Sequence, residues 1–314
     1  MSMFGTRSGR QAAIYGAKSI ARPKWRRSTL FAYALITPMV ALMAAITFYP
    51  TLFAVQLATT DASLLRLDRA RHIGTANFRR LMDDATFLAG LWRTLRWDVV
   101  VVGVELLIAL PIALFLNLSF RGRAFIRSAV LIPYITPPAV TALMWIYMVD
   151  GNFGVLNDIL VRIGVIEHNV AWLSDPAGSF AAVASAMIWS GQPLMAIILL
   201  AALQSIPPSL YEAASIDGAG AWQRFWHVTL PHLRPTILFL LLMRTIWMSN
   251  HIDMIFIMTG GGPGFTNYTA AVYTFLLTTR FQIGYSAAAA VTLAAALMLL
   301  SLLYLRHLAR KILA

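Results

Sequence analysis

The sequence predicts an all-α protein that crosses a membrane about six times. Of its 314 residues, 59% are hydrophobic and only 12% are charged, whereas soluble domains carry about a quarter charged residues. The chain contains six stretches with the ~20 apolar residues that a helix needs to cross a bilayer. Basic residues flank these stretches, which is the pattern that orients membrane proteins. Membrane lipid therefore accounts for the net charge of +12, and we expect no nucleic-acid partner.

The first predicted span follows 27 residues that hold seven Lys or Arg. Its apolar part is too long for a cleavable signal peptide, so we predict a membrane anchor. Residues 1–29 are then a basic cytoplasmic arm on the inner membrane surface. In chain order, the spans are expected near residues 30–56, 97–118, 126–149, 179–203, 236–258 and 284–305.

The distribution of basic residues predicts the orientation of the chain. With the N-terminus inside, 15 Lys and Arg near the span ends lie inside and nine lie outside. This predicts a multi-pass membrane protein with both termini cytoplasmic. The outer segment 58–96 contains "NFRRLMDDATFLAGLW", whose apolar stripe predicts an amphipathic helix on the outer surface.

The segment between the fourth and fifth spans, about 204–235, is predicted to form two short helices on the inside. Ser209 and Glu212 have the spacing of a capping box at the start of the first helix. Gly218 and Gly220 are expected to end that helix.

The second helix of this segment presents an aromatic face formed by Trp222, Phe225 and Trp226. We expect Leu230-Pro231 to break it. Two interpretations stay open: the aromatic residues pack beneath neighbouring spans, or the segment is a docking knob that offers Glu212 and Asp217 to a cationic partner.

Two ionisable residues inside predicted spans suggest an ion pair. Such residues face the bundle interior, a partner or a water-filled cavity. Glu105 in the second span and Arg244 in the fifth lie at depths that differ by roughly 6 Å, which an arginine side chain can cover. The hypothesis is a buried pair that locks the two spans together; contact between Arg244 and the solute is the alternative.

A solute pathway is expected where polar and aromatic residues cluster in the fourth and fifth spans. A helix break at Gly191-Gln192-Pro193 would free backbone groups to line a cavity. For each candidate, ordinary packing remains the alternative. The candidates are Trp189, Gln192, Ser249, Asn250, His251 and Asp253.

Several motifs carry a resemblance to a known family. Glu212-Ala213-Ala214, Asp217-Gly218-Ala219 and the later Leu230-Pro231 resemble the EAA loop of permease subunits in ATP-binding-cassette (ABC) importers. The motifs "TGGGPG" at 259–264, "LIPY" at 131–134 and "NFRRLMDD" at 77–84 are similar to the carbohydrate-uptake branch. The larger membrane subunit of maltose importers has a large outer domain, but here only about 30 residues separate spans three and four.

The resemblance implies the type I ABC importer permease fold for residues 30–314, located in a bacterial inner membrane. It implies a coupling helix that docks on a separate ATPase, and a pathway for a sugar or sugar derivative. The implied partners are a second homologous permease in a heterodimer, two ATPase subunits and an extracytoplasmic substrate-binding protein. The residues implied in ATPase coupling are Glu212, Ala213, Ala214, Asp217, Gly218, Leu230 and Pro231.

The residue types present argue against an enzyme. A Walker A loop requires a lysine after its second glycine, and Lys18, Lys24 and Lys311, the chain's lysines, lack that context. Cysteine is absent, and His227 and His232 are too few ligands for a metal site. We expect no catalytic residues, cofactor or metal in this chain, with ATP and Mg²⁺ bound by the partner ATPase.

Two other functional classes compete with the permease. A secondary transporter of small polar solutes, driven by an ion gradient, would be expected to show an internal repeat, and none is found between spans one to three and four to six. An intramembrane enzyme needs a nucleophile with a base or a metal cluster. His251 and Asp253 are two residues apart and would face different sides of a helix.

Overall fold

The computed structural model describes residues 25–312, with side chains from 29 to 306. Most of the predicted basic arm therefore lies outside the described residues. The described chain is helical, and its one β-bridge joins Thr60 to His72. It falls into two units, residues 1–53 and 54–314.

The first unit is helical over its described part. Helix α1 (Trp25–Met43) runs through a π-helical turn (Ala44–Phe48) into α2 (Tyr49–Ala58). All side chains from 29 to 53 are exposed.

The second unit contains the remaining helices. They are α3 (Ala76–Met82), α4 (Ala85–Trp97), α5 (Gly103–Asn117), α6 (Arg123–Val130), α7 (Ile132–Ile135), α8 (Pro138–Met148), α9 (Val155–Arg162), α10 (Pro176–Gln204), α11 (Pro208–Ile216), α12 (Ala221–Arg224), α13 (Leu230–Ser249), α14 (Asp253–Thr259), α15 (Ala270–Thr279) and α16 (Ile283–Ile312).

Four helices in the described part of the chain are long and apolar enough to cross a membrane. The helix pair Arg123–Ile135 and Pro138–Met148 adds a fifth if the two helices form one span. They are bent by 90° at consecutive prolines, which lack backbone N–H donors. The four are Thr29–Ala58, Ala85–Asn117, Pro176–Gln204 and Ile283–Arg306.

The single helix predicted over 236–258 is wrong. Helix α13 ends at Ser249, and α14 begins three residues later at Asp253. Asn250 is the residue at which the helix ends, and asparagine favours helix ends because its side chain competes for backbone hydrogen bonds.

The amphipathic surface helix predicted from the outer segment is also wrong. Helix α3 ends at Met82, and the Asp84 carboxylate caps α4 by accepting hydrogen bonds from the Thr86 and Phe87 N–H groups at 2.9 and 3.1 Å. Through a π-helical turn, α4 then continues into α5 as one 33-residue helix. The apolar stripe of α4 packs against α15, with Phe87 buried.

The core of the second unit consists of two hydrophobic clusters. One involves the upstream half of α10 together with α4, α14, α15 and α16, and the other joins α5, α13 and the downstream half of α10. On α10, for example, Met187 belongs to the first cluster and Met195 to the second. Between the clusters lies a polar layer.

Candidate functional site

The polar layer between the two clusters holds an ion pair between α5 and α13. The Arg244 Nε donates to Glu105 Oε2 at 2.8 Å, and Nη2 donates to Oε1. Glu105 is fully buried and Arg244 is 8% exposed. This bidentate geometry is the strongest arrangement available to an arginine and a carboxylate.

Gly191 brings α10 against this pair. A Cβ atom at that position would overlap Glu105 Oε1 and Arg244 Nη2. The predicted helix break at this site is wrong, because α10 continues through Pro193 to Gln204. Because Gly191 has no side chain, α5, α10 and α13 can approach one another closely. Packing against α5 keeps α10 continuous although Pro193 lacks a backbone N–H.

A cavity of about 440 Å³ opens beside the ion pair, where α13 ends. Of the six pathway candidates, Asn250, His251 and Asp253 line it. His251 Nε2 is buried without a hydrogen-bond partner. Arg244 also lines the cavity, whereas Glu105 lies behind it.

The other three pathway candidates do not line this cavity. The hydroxyl of Ser249 donates instead to Asp98 Oδ2 at 2.6 Å. Trp189 and Gln192 lie on α10 and are half-buried. The sequence reasoning missed Tyr134 and Trp247, which do line the cavity; the position of Tyr134 in the "LIPY" motif was the available signal.

At one end of the second unit, α11 and α12 form a hairpin, which we call the coupling hairpin (residues 207–229). The predicted capping box at Ser209 is wrong, because α11 begins at Pro208 and no side chain caps it. A proline in the first turn starts the helix one residue earlier and leaves Ser209 inside it. Glu212 is exposed.

Gly218 ends α11 as expected. Its backbone has φ of +75°, a conformation that glycine adopts without strain. The Gly218 N–H donates to the Ser215 carbonyl, and the Ala219 N–H donates to the Ala214 carbonyl. Asp217 is exposed beside this turn.

The break predicted at Leu230-Pro231 is wrong. Helix α12 runs through a π-helical turn (Phe225–Thr229) directly into α13. Pro231 falls in the first turn of α13, where a missing N–H is tolerated. Residues 221–249 therefore form one continuous helix, about 43 Å long at 1.5 Å per residue.

Two side-chain contacts hold the coupling hairpin together. The Tyr211 and Thr229 hydroxyls lie 3.0 Å apart, and Arg224 Nη1 donates to Ser215 Oγ at 2.9 Å. The aromatic residues contact one another, and Trp222 is 72% exposed. Trp222 thus does not pack beneath other spans of this chain.

The "TGGGPG" segment forms a tight turn, as its glycines suggest. Gly260 and Gly261 have φ of +60° and +93°. The Asn267 amide donates to the Gly262 carbonyl at 2.8 Å and to Ser179 Oγ at 2.6 Å. The turn is thereby fixed to α10.

Beside this turn, one carboxylate joins three helices. The hydroxyls of Tyr273 and Tyr285 donate to Asp84 Oδ2. Burial by itself would raise the pKa of Asp84, but these two hydrogen bonds and those from the α4 backbone hold it below its usual range. Burial and the neighbouring carboxylate raise the pKa of Tyr273 to about 12.

Comparison with known proteins identifies the family. Residues 106–314 match the family described as "Binding-protein-dependent transport system inner membrane component". The chain belongs to this family of permeases. The resemblance read from its motifs is confirmed.

Two relatives are similar to this permease over most of its length. The sulfoquinovosyl glycerol transport system permease protein SmoG of Agrobacterium fabrum is 36% identical over 90% of this chain and 94% of the relative. The trehalose/maltose transport system permease protein MalF of Thermococcus litoralis is 35% identical over 77% of this chain and 80% of the relative.

A solved structure supports the fold of the permease. A chain from the crystal structure of a bacterial alginate ABC transporter, in complex with an alginate pentasaccharide-bound periplasmic protein, matches with a TM-score of 0.78. The match covers 92% of this chain and 98% of that chain at 22% identity. The predicted type I importer permease fold is confirmed.

Among the described residues, no group of three or more His, Asp or Glu could hold a metal ion.

Proposed function

We propose that this permease imports a sugar or a sugar derivative, delivered by an extracytoplasmic binding protein and driven by a separate ATPase. Relatives named for sulfoquinovosyl glycerol and for trehalose and maltose support this solute class. The family favours this function over a secondary transporter driven by an ion gradient.

The observation that carries the proposal is the continuous helix from α12 to α13. One of its ends forms half of the coupling hairpin, and the other reaches the cavity at Asn250. A displacement of the hairpin is therefore transmitted along one continuous helix to the cavity wall. This is the connection that an alternating-access importer needs between ATP hydrolysis and solute release.

The coupling hairpin is the docking site for the ATPase in this proposal. Ile216 and Trp222 are 87% and 72% exposed, and large exposed apolar side chains are typical of protein interfaces. Glu212 and Asp217 add two exposed acidic groups. Ala213 and Ala214 are small enough for the ATPase to approach closely. Gly218 forms the turn that ends α11. Leu230 and Pro231 continue the helix from the hairpin into α13.

In this proposal the ion pair holds the solute pathway in one conformation. Glu105 and Arg244 connect α5 to α13 where the two core clusters meet. A change of access at the cavity requires these clusters to shift relative to each other, so the pair stabilises one arrangement.

The partners proposed are a second homologous permease, two ATPase subunits and the binding protein. ATP and Mg²⁺ bind to the ATPase subunits, and this chain hydrolyses no ATP. The proposed location is the bacterial inner membrane with both termini and the coupling hairpin in the cytoplasm.

The test is coupled ATP hydrolysis and uptake by the assembled transporter in proteoliposomes, with the binding protein and labelled maltose, trehalose or sulfoquinovosyl glycerol. We expect Glu212→Ala and Gly218→Asp to lower solute-stimulated hydrolysis by about tenfold or more, the effect of losing an interface contact worth about 1.4 kcal/mol.

The matched control is Glu167→Ala, because Glu167 is an exposed glutamate outside the hairpin. It should leave stimulation unchanged. If the Glu212→Ala transporter assembles fully and its ATP hydrolysis is stimulated by solute as in the wild type, Glu212 has no role in coupling.

A further inference from the structure

A separate cavity of about 440 Å³ lies where two membrane-spanning helices end. We call it the interfacial pocket, and its lining comes from the segments 60–65, 73–80 and 280–285. Helix α2 ends at Ala58, just before the first of these segments, and α16 begins at Ile283, within the last. The pocket therefore lies at the level where the membrane meets water. In the proposed orientation, with both termini in the cytoplasm, this level is the outer surface of the membrane.

Hydrogen bonds hold the walls of the interfacial pocket together. The Leu64 N–H donates to the Phe281 carbonyl at 3.1 Å, which joins the first wall to the last. The Asn77 amide, which is buried on α3, donates to the Thr60 carbonyl at 2.8 Å and joins the first wall to the second. The pocket is therefore a part of the fold and not a gap between loose loops.

The interfacial pocket carries charges of both signs that do not neutralise one another. Arg80, Arg280 and Asp61 line it, and all three are exposed. Within the part of the chain that the structure describes, none of the three forms an ion pair. Arg80 lies over the Tyr285 ring, 4.1 Å from its centroid. Asp61 Oδ1 accepts from the Arg71 N–H at 2.6 Å, and no described group donates to its Oδ2.

Two large apolar side chains lie beside these charges. Leu65 and Phe281 line the pocket and are 72% and 44% exposed. The backbone of Phe281 has φ of +63°, a strained conformation for a bulky residue and one that is concentrated at ligand sites. Apolar side chains at the end of a membrane span insert between lipid acyl chains. The pocket thus combines a charged interior with an apolar rim.

The chemistry of the interfacial pocket distinguishes its possible ligands. Arginine binds phosphate through planar, charge-assisted hydrogen bonds, and a carboxylate accepts hydrogen bonds from an ammonium group. A phosphoethanolamine headgroup carries both a phosphate and a primary ammonium. A headgroup with a phosphate alone would leave the Asp61 carboxylate unpaired beside a second anion. Free phosphoethanolamine would make the polar contacts, but only a lipid also covers the apolar rim.

We propose that the interfacial pocket binds the phosphoethanolamine headgroup of a membrane lipid, with Arg80 and Arg280 on the phosphate and Asp61 on the ammonium. The lipid joins α3, which carries Arg80, to the turn before α16, which carries Arg280. This inference goes beyond the proposed function, because it does not depend on which solute is imported.

The test compares three phospholipids on the purified transporter that contains the full-length chain. Native mass spectrometry counts the lipid molecules retained from an equal mixture of phosphatidylethanolamine, phosphatidylglycerol and phosphatidylcholine. Phosphatidylglycerol has the phosphate without an ammonium, and phosphatidylcholine has a quaternary ammonium without an N–H donor. We expect several-fold preference for phosphatidylethanolamine. Equal retention of the three lipids would overturn the inference.

Substitutions assign the retained lipid to the interfacial pocket. Arg280→Gln should lower retention of phosphatidylethanolamine several-fold. The matched control is Arg79→Gln, because Arg79 is an exposed arginine on α3 that does not line the pocket. It should retain the lipid as the wild type does. Wild-type retention by Arg280→Gln, with a melting temperature that shows the variant to be folded, would place the lipid elsewhere.

A second variant tests the ammonium contact. Asp61→Asn keeps an oxygen that accepts from the Arg71 N–H but loses the negative charge, so it should bind phosphatidylethanolamine and phosphatidylglycerol equally. An unchanged preference in this variant would contradict the role of Asp61.

Soluble phosphoethanolamine distinguishes the two sources of the headgroup. Added at the same concentration as the lipid, it should not displace phosphatidylethanolamine, because it has no acyl chains to contact Leu65 and Phe281. Displacement of the lipid would show that the pocket binds a free solute, and would overturn the assignment to a membrane lipid.

Discussion

The Arg244 side chain contacts both its ion-pair partner and the cavity. One side of its guanidinium is tied to Glu105, and the residue also lines the cavity. Gly191 makes this possible, because any side chain there would occupy the space of the pair. Three residues on three helices thus form one contact at the level where the hydrophobic clusters meet.

We predict that Glu105→Gln and Arg244→Gln each destabilise the protein by about 3–5 kcal/mol, because each leaves a buried charge without its partner. The double variant should lose less than the sum of the two single losses, since neither charge then remains unpaired. Equilibrium unfolding in mixed detergent micelles measures all four proteins.

Glu167→Gln is the control for removing an exposed glutamate charge. Additive losses in the double variant, or single variants as stable as this control, would show that the pair contributes nothing to the fold.

At the scale of elements, α4, α15 and α16 meet at Asp84. This carboxylate caps α4 and accepts hydrogen bonds from a tyrosine on each of the other two helices. One residue therefore determines both where a long helix begins and how two later helices pack against it.

We predict that this junction weakens at low pH. Hydrogen bonds lower the pKa of Asp84 in the folded protein, so the ionised carboxylate stabilises the fold above the ordinary pKa of about 3.9. That contribution is lost as the pH falls through the lowered pKa. Melting temperatures between about pH 6 and pH 3 should fall more for the wild type than for Asp84→Asn, which stays uncharged.

Parallel melting curves for wild type and Asp84→Asn would contradict a lowered pKa at this position. Tyr273→Phe, which removes one of the two phenol donors to the carboxylate, should move the acid transition to higher pH.

At the scale of the whole molecule, the coupling hairpin and the cavity lie at opposite ends of one helix. Arg244 of the ion pair is on the same helix, five residues before its last residue. A displacement of the hairpin that is transmitted along this helix therefore reaches the ion pair before it reaches the cavity.

We predict that filling the cavity blocks uptake while the transporter stays assembled. Asn250→Trp places an indole in a cavity of about 440 Å³ and should lower uptake of the labelled sugars by about tenfold, because a solute must be largely enclosed to be bound. The measurement is uptake into proteoliposomes at saturating binding protein.

Asn152→Trp is the matched control, because Asn152 is exposed and does not line the cavity. Wild-type uptake by the Asn250→Trp transporter would place the solute pathway elsewhere.

The sequence by itself determined the membrane class, and it predicted the positions of most spans, two short helices within 204–235 and the pairing of Glu105 with Arg244. These follow from local properties, since hydropathy reports how each segment partitions into lipid, and depth along a helix follows from residue count. The motif residues Glu212 and Gly218 could likewise be read without a structure.

Only the tertiary structure decided which side chains meet. It made α10 continuous through Pro193, ended α13 at Ser249, and put Asn250 and His251, but not Ser249, on the cavity. It also gave Gly191 its role against the ion pair. The physical reason is that a local pattern predicts a helix, whereas the rotation of that helix and the continuity of its backbone depend on packing against helices distant in sequence.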